Sequence, residues 1–233
     1  KRLDLNLKDP ASCDIFLIYV KNNTLEKYMQ YIEFQKALKN FTVFSLADIR
    51  QVEPGFHLRR LNEWQKKDYI RKIVKGHYTF SGPDIDEKAL FEIANRIYSP
   101  SYVSFEMALS YYSLIPESVY GITSASTRKT SRFVTPVGEF IYRTIRPKLY
   151  FGFEFLSNNG KPYKLAAPET ALREFFYIRP EIRDKAGFDG MRVNRKVFMN
   201  LMDRNKINGY LSAYAQRSLK KRMDDFWGYI AHA

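Results

Sequence analysis

The stretch that decides the fold is Phe44–Phe80, which reads FSLADIRQVEPGFHLRRLNEWQKKDYIRKIVKGHYTF. Ser45 is a favourable helix N-cap and apolar residues follow it at helical spacing, so the pattern predicts a short helix. Pro54-Gly55 ends that helix, because proline cannot continue it and glycine permits a sharp reversal of the chain. The stretch therefore begins with a helix and a tight turn.

A second helix and a hairpin are predicted after the turn. The helix would bury Leu58, Leu61 and Trp64 on one stripe. After Asp68 the apolar period changes from about 3.6 to about 2 residues, which predicts a hairpin that turns at Lys75-Gly76. Helix, turn, basic helix and basic hairpin, in this order, predict a winged helix-turn-helix, which places a helix in the major groove of DNA and a β-ribbon on the backbone beside it. The alternative is that the basic residues are only the solvated face of an ordinary helix pair.

The polar face of the second helix and the hairpin supply the candidate DNA ligands. Arginine pairs with guanine and asparagine with adenine through two hydrogen bonds, so these residue types on a groove-facing helix indicate base reading. The candidates for base edges are Arg59, Arg60, Asn62 and Lys66. The candidates for phosphates, which fix position and not sequence, are Arg71, Lys72, Lys75 and His77. His57 and Lys67, on the polar face of the same helix, complete the predicted site.

The composition indicates a folded protein with a polyanionic partner. The chain has 233 residues, 45% of them hydrophobic and 16% aromatic, which is enough for one large or two small domains with real cores. Its formal charge of +13 and pI near 9.6 favour nucleic acid or an anionic membrane as partner. No apolar run is long enough to span a bilayer, and Ile15–Val20 is too short for a signal-peptide core. The single cysteine, Cys13, fits a reducing compartment, so we expect a cytoplasmic protein without a membrane partner.

The rest of the chain predicts an α+β fold in two domains. We expect an N-terminal extension over residues 1–23, a winged helix-turn-helix over 24–80 whose first helix runs from Thr24 to about Lys39, and a mixed α+β domain over 81–233 that begins with the linker Ser81–Asp84. Helices are predicted over Asp86–Tyr98, Ser104–Tyr112, Pro168–Tyr177 and, in a tail interrupted at Asn208-Gly209, Ser212–Tyr229. Antiparallel strands are predicted at Val119–Thr123, Arg132–Thr135, Glu139–Ile145 and Leu149–Leu156, with hairpin turns at Val137-Gly138 and Asn158–Gly160.

Several segments in this second part resemble AbiEi-type antitoxins of type IV toxin–antitoxin systems. The clearest is Tyr102–Glu117, which reads YVSFEMALSYYSLIPE. The resemblance continues through Thr127–Lys129, Phe133–Arg143, Ile145–Gly152, Ala166–Leu172 and Phe176–Pro180, and it spans roughly residues 41–180. Residues 1–23 and the tail from about 181 lie outside it.

The resemblance implies a transcriptional regulator. Members of this family have an N-terminal winged helix that binds the promoter of their own operon and a C-terminal domain needed for antitoxin action. The implied functional partner is an AbiEii-type nucleotidyltransferase toxin, which is counteracted without a stable complex. A rival hypothesis is an interaction module that neutralises a toxin by direct contact and binds DNA only weakly and non-specifically.

A second basic patch is predicted in the C-terminal domain. Its members are Arg128, Lys129, Arg132, Arg143, Arg146 and Lys148. Strand alternation could place Arg132 and Arg143 on one face. The patch would extend the DNA contact, or bind an acidic surface of a toxin or a nucleic acid that the toxin uses; the alternative is a solvated sheet face.

Nothing in the sequence indicates an enzyme. The three histidines, at positions 57, 77 and 232, are not at metal-ligand spacing with the cysteine or with one another. There is no glycine-rich phosphate loop or nucleophile elbow. Glu174 could pair with Arg173 or Arg179, and a structural acid is the commoner role in such a setting. We therefore expect a non-enzyme without cofactor or metal.

Overall fold

The computed structural model describes residues 30–82, 85–116, 121–214 and 216–232. The predicted extension and the predicted cap Thr24 lie outside these ranges. The described chain is mixed α+β, with a small three-stranded sheet followed by a six-stranded sheet and its helices. The predicted α+β class is therefore confirmed.

The first unit alternates short helices and strands around the small sheet. Its elements are α1 Tyr31–Ala37, β1 Phe44–Ser45, α2 Leu46–Val52, α3 Arg59–Lys66, β2 Ile70–Val74 and β3 His77–Phe80. The strands are antiparallel, in the order β1-β3-β2. Ser45 caps α2 by accepting a hydrogen bond from the Asp48 amide at 3.3 Å, as its sequence position predicts. Gly76, at φ +83°, makes the predicted turn between β2 and β3.

Aromatic rings fill the core of this unit. The Phe34 ring lies 4.6 Å from Trp64 and 5.8 Å from Phe56, centroid to centroid. Leu58, predicted to be buried, is 52% exposed, whereas Phe56 is buried. The prediction was wrong because the turn returns Phe56 to the core before α3 begins. Leu58 then lies outside the buried stripe of α3, which consists of Leu61 and Trp64.

The second sheet has six strands. They are β4 Ser101–Val103, β5 Ile122–Ser126, β6 Ser131–Thr135, β7 Gly138–Thr144, β8 Phe153–Asn158 and β9 Lys161–Ala166, in the order β6-β7-β5-β4-β9-β8. The β5/β7 and β4/β9 pairs are parallel, so the prediction of a purely antiparallel arrangement was wrong. Side-chain alternation identifies a strand but not the direction of its neighbour. The predicted strand from Leu149 starts only at Phe153, because Pro147–Leu149 forms a 3-10 turn.

Helices cover both faces of this sheet. They are α4 Glu87–Ile97, α5 Phe105–Tyr111, α6 Pro168–Ile178, α7 Lys185–Gly190, α8 Arg195–Leu201, α9 Arg204–Tyr214 and α10 Arg217–His232. On the α4 side, the Tyr142 hydroxyl donates to the Ala94 carbonyl at 2.7 Å. On the opposite side, α6 carries the fully buried Glu174, which accepts hydrogen bonds from Tyr102 and Ser104. The sheet is thus the middle layer of three.

Glu174 is built into this packing. Burial raises the pKa of its carboxyl group, against the opposing charge of Arg173, whose Nη2 lies 3.4 Å away. The sequence allowed a pair with Arg173 or Arg179, and Arg173 is the partner. Arg179 instead donates to Glu106 at 2.5 Å.

The C-terminal helices depart from prediction at two points. The single helix predicted over Ser212–Tyr229 was wrong, because Ser212 belongs to α9 and α10 begins only at Arg217. The predicted interruption at Asn208-Gly209 was also wrong. These two residues lie inside α9, and the helical structure is interrupted before that helix, at Met202–Asp203. Ile207 and Leu211, on either side of the glycine, are buried in the main core. Burial of two such side chains outweighs the roughly 1 kcal/mol that glycine costs a helix.

The first unit contacts the second directly. Arg96 of α4 pairs with Asp48 of α2, and its guanidinium lies 4.7 Å from the Phe41 ring centroid. Lys161 donates to the Thr42 hydroxyl at 3.0 Å. Among the residues described, none belongs to a helix long and apolar enough to cross a bilayer.

Candidate nucleic-acid interface

The outer face of α3 is polar and exposed. Arg59, Asn62, Glu63 and Lys66 recur at the i, i+3, i+4 and i+7 spacing that lines one side of a helix, and all four are exposed. The Arg59 side chain is 89% exposed, and its Nε lies 3.3 Å from Glu63 Oε1. Three donor side chains and one acid are thus presented on a single surface.

Arg60 lies on the other side of the helix. Its Nη1 donates to both carboxylate oxygens of Glu53, at 2.6 and 2.8 Å, and its guanidinium lies 4.7 Å from the ring centroids of both Phe56 and Trp64. The side chain is only 13% exposed. This setting contradicts the predicted base-edge role: Arg60 fastens the turn between α2 and α3. About 100° of helical rotation separates it from Arg59, although the two are identical in type.

The hairpin presents most of its predicted cations to solvent. Arg71, Lys72 and Lys75 are exposed, and Arg71 is held by Asp68 at 3.3 Å. Arg71 and Lys72, consecutive residues of the outer strand, are both exposed, and a register shift follows between Lys72 and Val74. The hairpin that follows α3 in the sequence therefore carries three exposed cations.

His77 does not belong with them. It is half-buried on the central strand β3, opposite Ser45. Burial lowers the pKa of its imidazole, and the nearby charge of Arg96 lowers it further. His77 is thus less accessible than the exposed cations Arg71 and Lys72, and its phosphate contact stays a prediction. The other two predicted residues, His57 and Lys67, are exposed and lie just before and just after α3.

The second basic patch is split by the topology. Arg128 and Lys129 follow β5, and Arg146 and Lys148 follow β7. Because β5 and β7 are parallel, with Ser126 opposite Thr144, both segments leave the sheet at the same edge. The Thr144 hydroxyl donates to the Arg128 carbonyl at 2.8 Å. Four cations thus lie at one edge of the sheet. The sequence alone did not separate them from the other two members of the patch.

The other two cations lie on the sheet face. Arg132 opposes Ile141, so it shares a face with Arg143, as alternation predicts. Each is paired with an acid: Arg132 bonds Glu139, and Arg143 lies 3.5 Å from Glu106. Glu139 offsets the charge of Arg132, whereas Glu106 also pairs with Arg179, so two arginines share one carboxylate there.

Sequence reasoning missed one feature of the α3 surface. Leu58 is the N-cap of α3 and lies exposed next to Arg59. The available signal was Phe56, a larger apolar residue directly after Gly55, which competes for the same place in the core.

Within the described ranges, no group of His, Cys, Asp and Glu is arranged to hold a metal ion. No protein-family model matches the chain, and no curated protein is significantly similar to it.

Proposed function

We propose that the protein is a winged-helix DNA-binding regulator in which α3 enters the major groove and the β2–β3 hairpin lies on the neighbouring backbone. One observation carries the proposal. Helix, strand, two helices and two strands follow one another around a sheet ordered β1-β3-β2, and the helix before the hairpin has an exposed polar face. A helix followed by a β-ribbon in this order suits a groove and its flanking phosphates.

The charge of the unit supports this proposal. Residues 30–82 contain ten lysines and arginines against five acids. The exposed cations Lys66, Lys72 and Lys75 are spread over α3 and the hairpin, and phosphate contacts of this kind supply most of the affinity for DNA. Arg59 and Asn62 on the same face would supply base recognition.

The resemblance of residues 41–180 to AbiEi-type antitoxins gives this DNA binding a biological setting. We propose a cytoplasmic, non-enzymatic antitoxin that represses its own operon and counteracts an AbiEii-type nucleotidyltransferase toxin without a stable complex. The first unit would act on promoter DNA. The six-stranded unit, with its basic edge, would serve antitoxin action.

Fluorescence anisotropy tests the DNA-binding half. The full chain is titrated onto a labelled duplex from upstream of its own gene and onto a scrambled duplex, over a series of salt concentrations. We expect a preference of about a thousandfold, with log affinity falling by about 0.9 per neutralised phosphate for each unit of log salt. Equal weak binding to both duplexes would overturn the proposal.

Co-expression tests the antitoxin half. Cells expressing the adjacent toxin gene should grow when this protein is supplied from an unrelated promoter, and tagged antitoxin should not retain the toxin during purification. Retention of the toxin in a stoichiometric complex would favour the direct-contact module instead.

A further inference from the structure

The outer face of α3 has one apolar residue. Leu58 is 52% exposed, whereas the other apolar residues of this helix, Leu61 and Trp64, are buried. Its neighbours on the exposed side are polar or charged. A leucine half exposed in water keeps an unfavourable apolar area that a partner could cover.

Leu58 and Asn62 are neighbours on this surface. Leu58 has the helical dihedral angles φ −55° and ψ −27°, and its carbonyl accepts from the Leu61 amide at 3.1 Å. The helical geometry therefore extends through Leu58, and residues at positions i and i+4 have Cβ atoms roughly 5–6 Å apart. Asn62 lies one turn further along the same face.

These two side chains match two features of neighbouring A·T pairs. Asparagine makes two hydrogen bonds to the N6 and N7 atoms of adenine, and thymine is distinguished in the major groove by its 5-methyl group, which apolar side chains contact. We infer that Leu58 reads a thymine methyl group beside an adenine read by Asn62. Leu58 is thus a specificity-determining residue, and the inference rests on the proposed function.

Replacing thymine by uracil tests this without changing the DNA sequence. The upstream fragment is prepared once with thymine and once with uracil, which lacks only the methyl group. The wild-type protein should bind the thymine fragment at least about fourfold more tightly, the effect expected for burial of one methyl group. Leu58→Ala should bind both fragments equally, at about the affinity of the wild type for the uracil fragment.

Ile32→Ala is the matched control. Ile32 is 60% exposed on α1, so the change removes a similar apolar area without touching α3. This variant should keep the wild-type preference for thymine. Asn62→Ala should also keep the preference for thymine. It should lose a different one, the wild-type preference for adenine over purine, a base that lacks the N6 amino group.

The outcomes separate the inference from the proposed function. Specific binding with equal affinity for both fragments, or an unchanged thymine preference in Leu58→Ala, overturns the inference and leaves the function standing. A smaller oligomer in sedimentation of Leu58→Ala, with its thymine preference intact, assigns Leu58 to a protein contact instead. Absence of specific binding in the wild type overturns both.

Discussion

The guanidinium of Arg96 on α4 lies 2.8 Å from the carboxylate of Asp48 on α2. Hydrogen bonds from Ser45 and the charge of Arg96 lower the pKa of Asp48, although burial opposes them. The same carboxylate completes the capping box at the start of α2. One ion pair thus ties the helix that precedes α3 to the helix that packs on the large sheet.

Arg96→Ala should loosen this connection. The pair is partly exposed, so we expect the free energy of unfolding of the first unit to fall by about 1 kcal/mol. Urea unfolding followed by the fluorescence of Trp64 in a Trp227→Phe background measures it. Arg183→Ala removes an equal charge from an exposed loop and should change stability by less than about 0.5 kcal/mol. Equal effects of the two changes would contradict the proposed tie.

Arg59 and Arg60 should separate recognition from stability. Arg60→Ala leaves Glu53 partly buried without its partner and exposes two aromatic rings, so stability should fall by about 2 kcal/mol. Arg59→Ala should change stability by less than about 0.5 kcal/mol but reduce the preference for upstream over scrambled DNA by 1–3 kcal/mol, or about 5- to 150-fold. Urea unfolding and anisotropy on both variants measure the two effects. Equal losses of affinity on both duplexes for Arg59→Ala would exclude base reading.

Lys72 should contribute affinity without specificity. It is exposed on β2, where a hairpin contact with phosphate adds a sequence-independent attraction. Lys72→Ala should weaken binding to upstream and scrambled DNA by the same factor and reduce the slope of log affinity against log salt by about 0.9. The salt series with both duplexes gives both values. A change in the ratio of the two affinities would argue against a phosphate contact.

His77 should make the protein less stable in mild acid. Its pKa in the folded protein lies below the ordinary value of 6.5, so the unfolded chain takes up the proton first as the pH falls. The free energy of unfolding should therefore decrease below pH 6.5, by at most about 1.4 kcal/mol per pH unit, until the folded-state pKa is reached. His77→Gln should lose this part of the pH dependence in urea unfolding between pH 5 and 7. An unchanged profile would contradict the burial of a neutral imidazole.

Gly152 and Gly160 form a matched pair for a test of packing. Both have φ +78°, but a Cβ at Gly152 would overlap the buried Thr170 hydroxyl, whereas Gly160 has open space around it. Gly160→Ala should cost about 1 kcal/mol, from backbone strain alone. Gly152→Ala should cost about 1–3 kcal/mol more, because α6 has to shift. Thermal unfolding of the two variants compares them, and equal losses would show that α6 adjusts freely.

Local signals in the sequence determined much of the first unit. Ser45 caps α2, Pro54-Gly55 separates α2 from α3, and Lys75-Gly76 turns the hairpin, all where the sequence predicts them. Each signal acts through the backbone of a few adjacent residues, so it requires no knowledge of the rest of the chain.

Only the tertiary structure decided which side chains on those elements are exposed and which are buried. Phe56 took the core place predicted for Leu58, Arg60 turned inward to Glu53, and His77 became half-buried on the central strand of the small sheet. The parallel β5/β7 pair likewise brought Arg128 and Arg146 to one edge. In each case the outcome depends on contacts between residues distant in sequence, or on competition between neighbours for one space in the core. Residue type and spacing define the candidates for such places, and close packing selects among them.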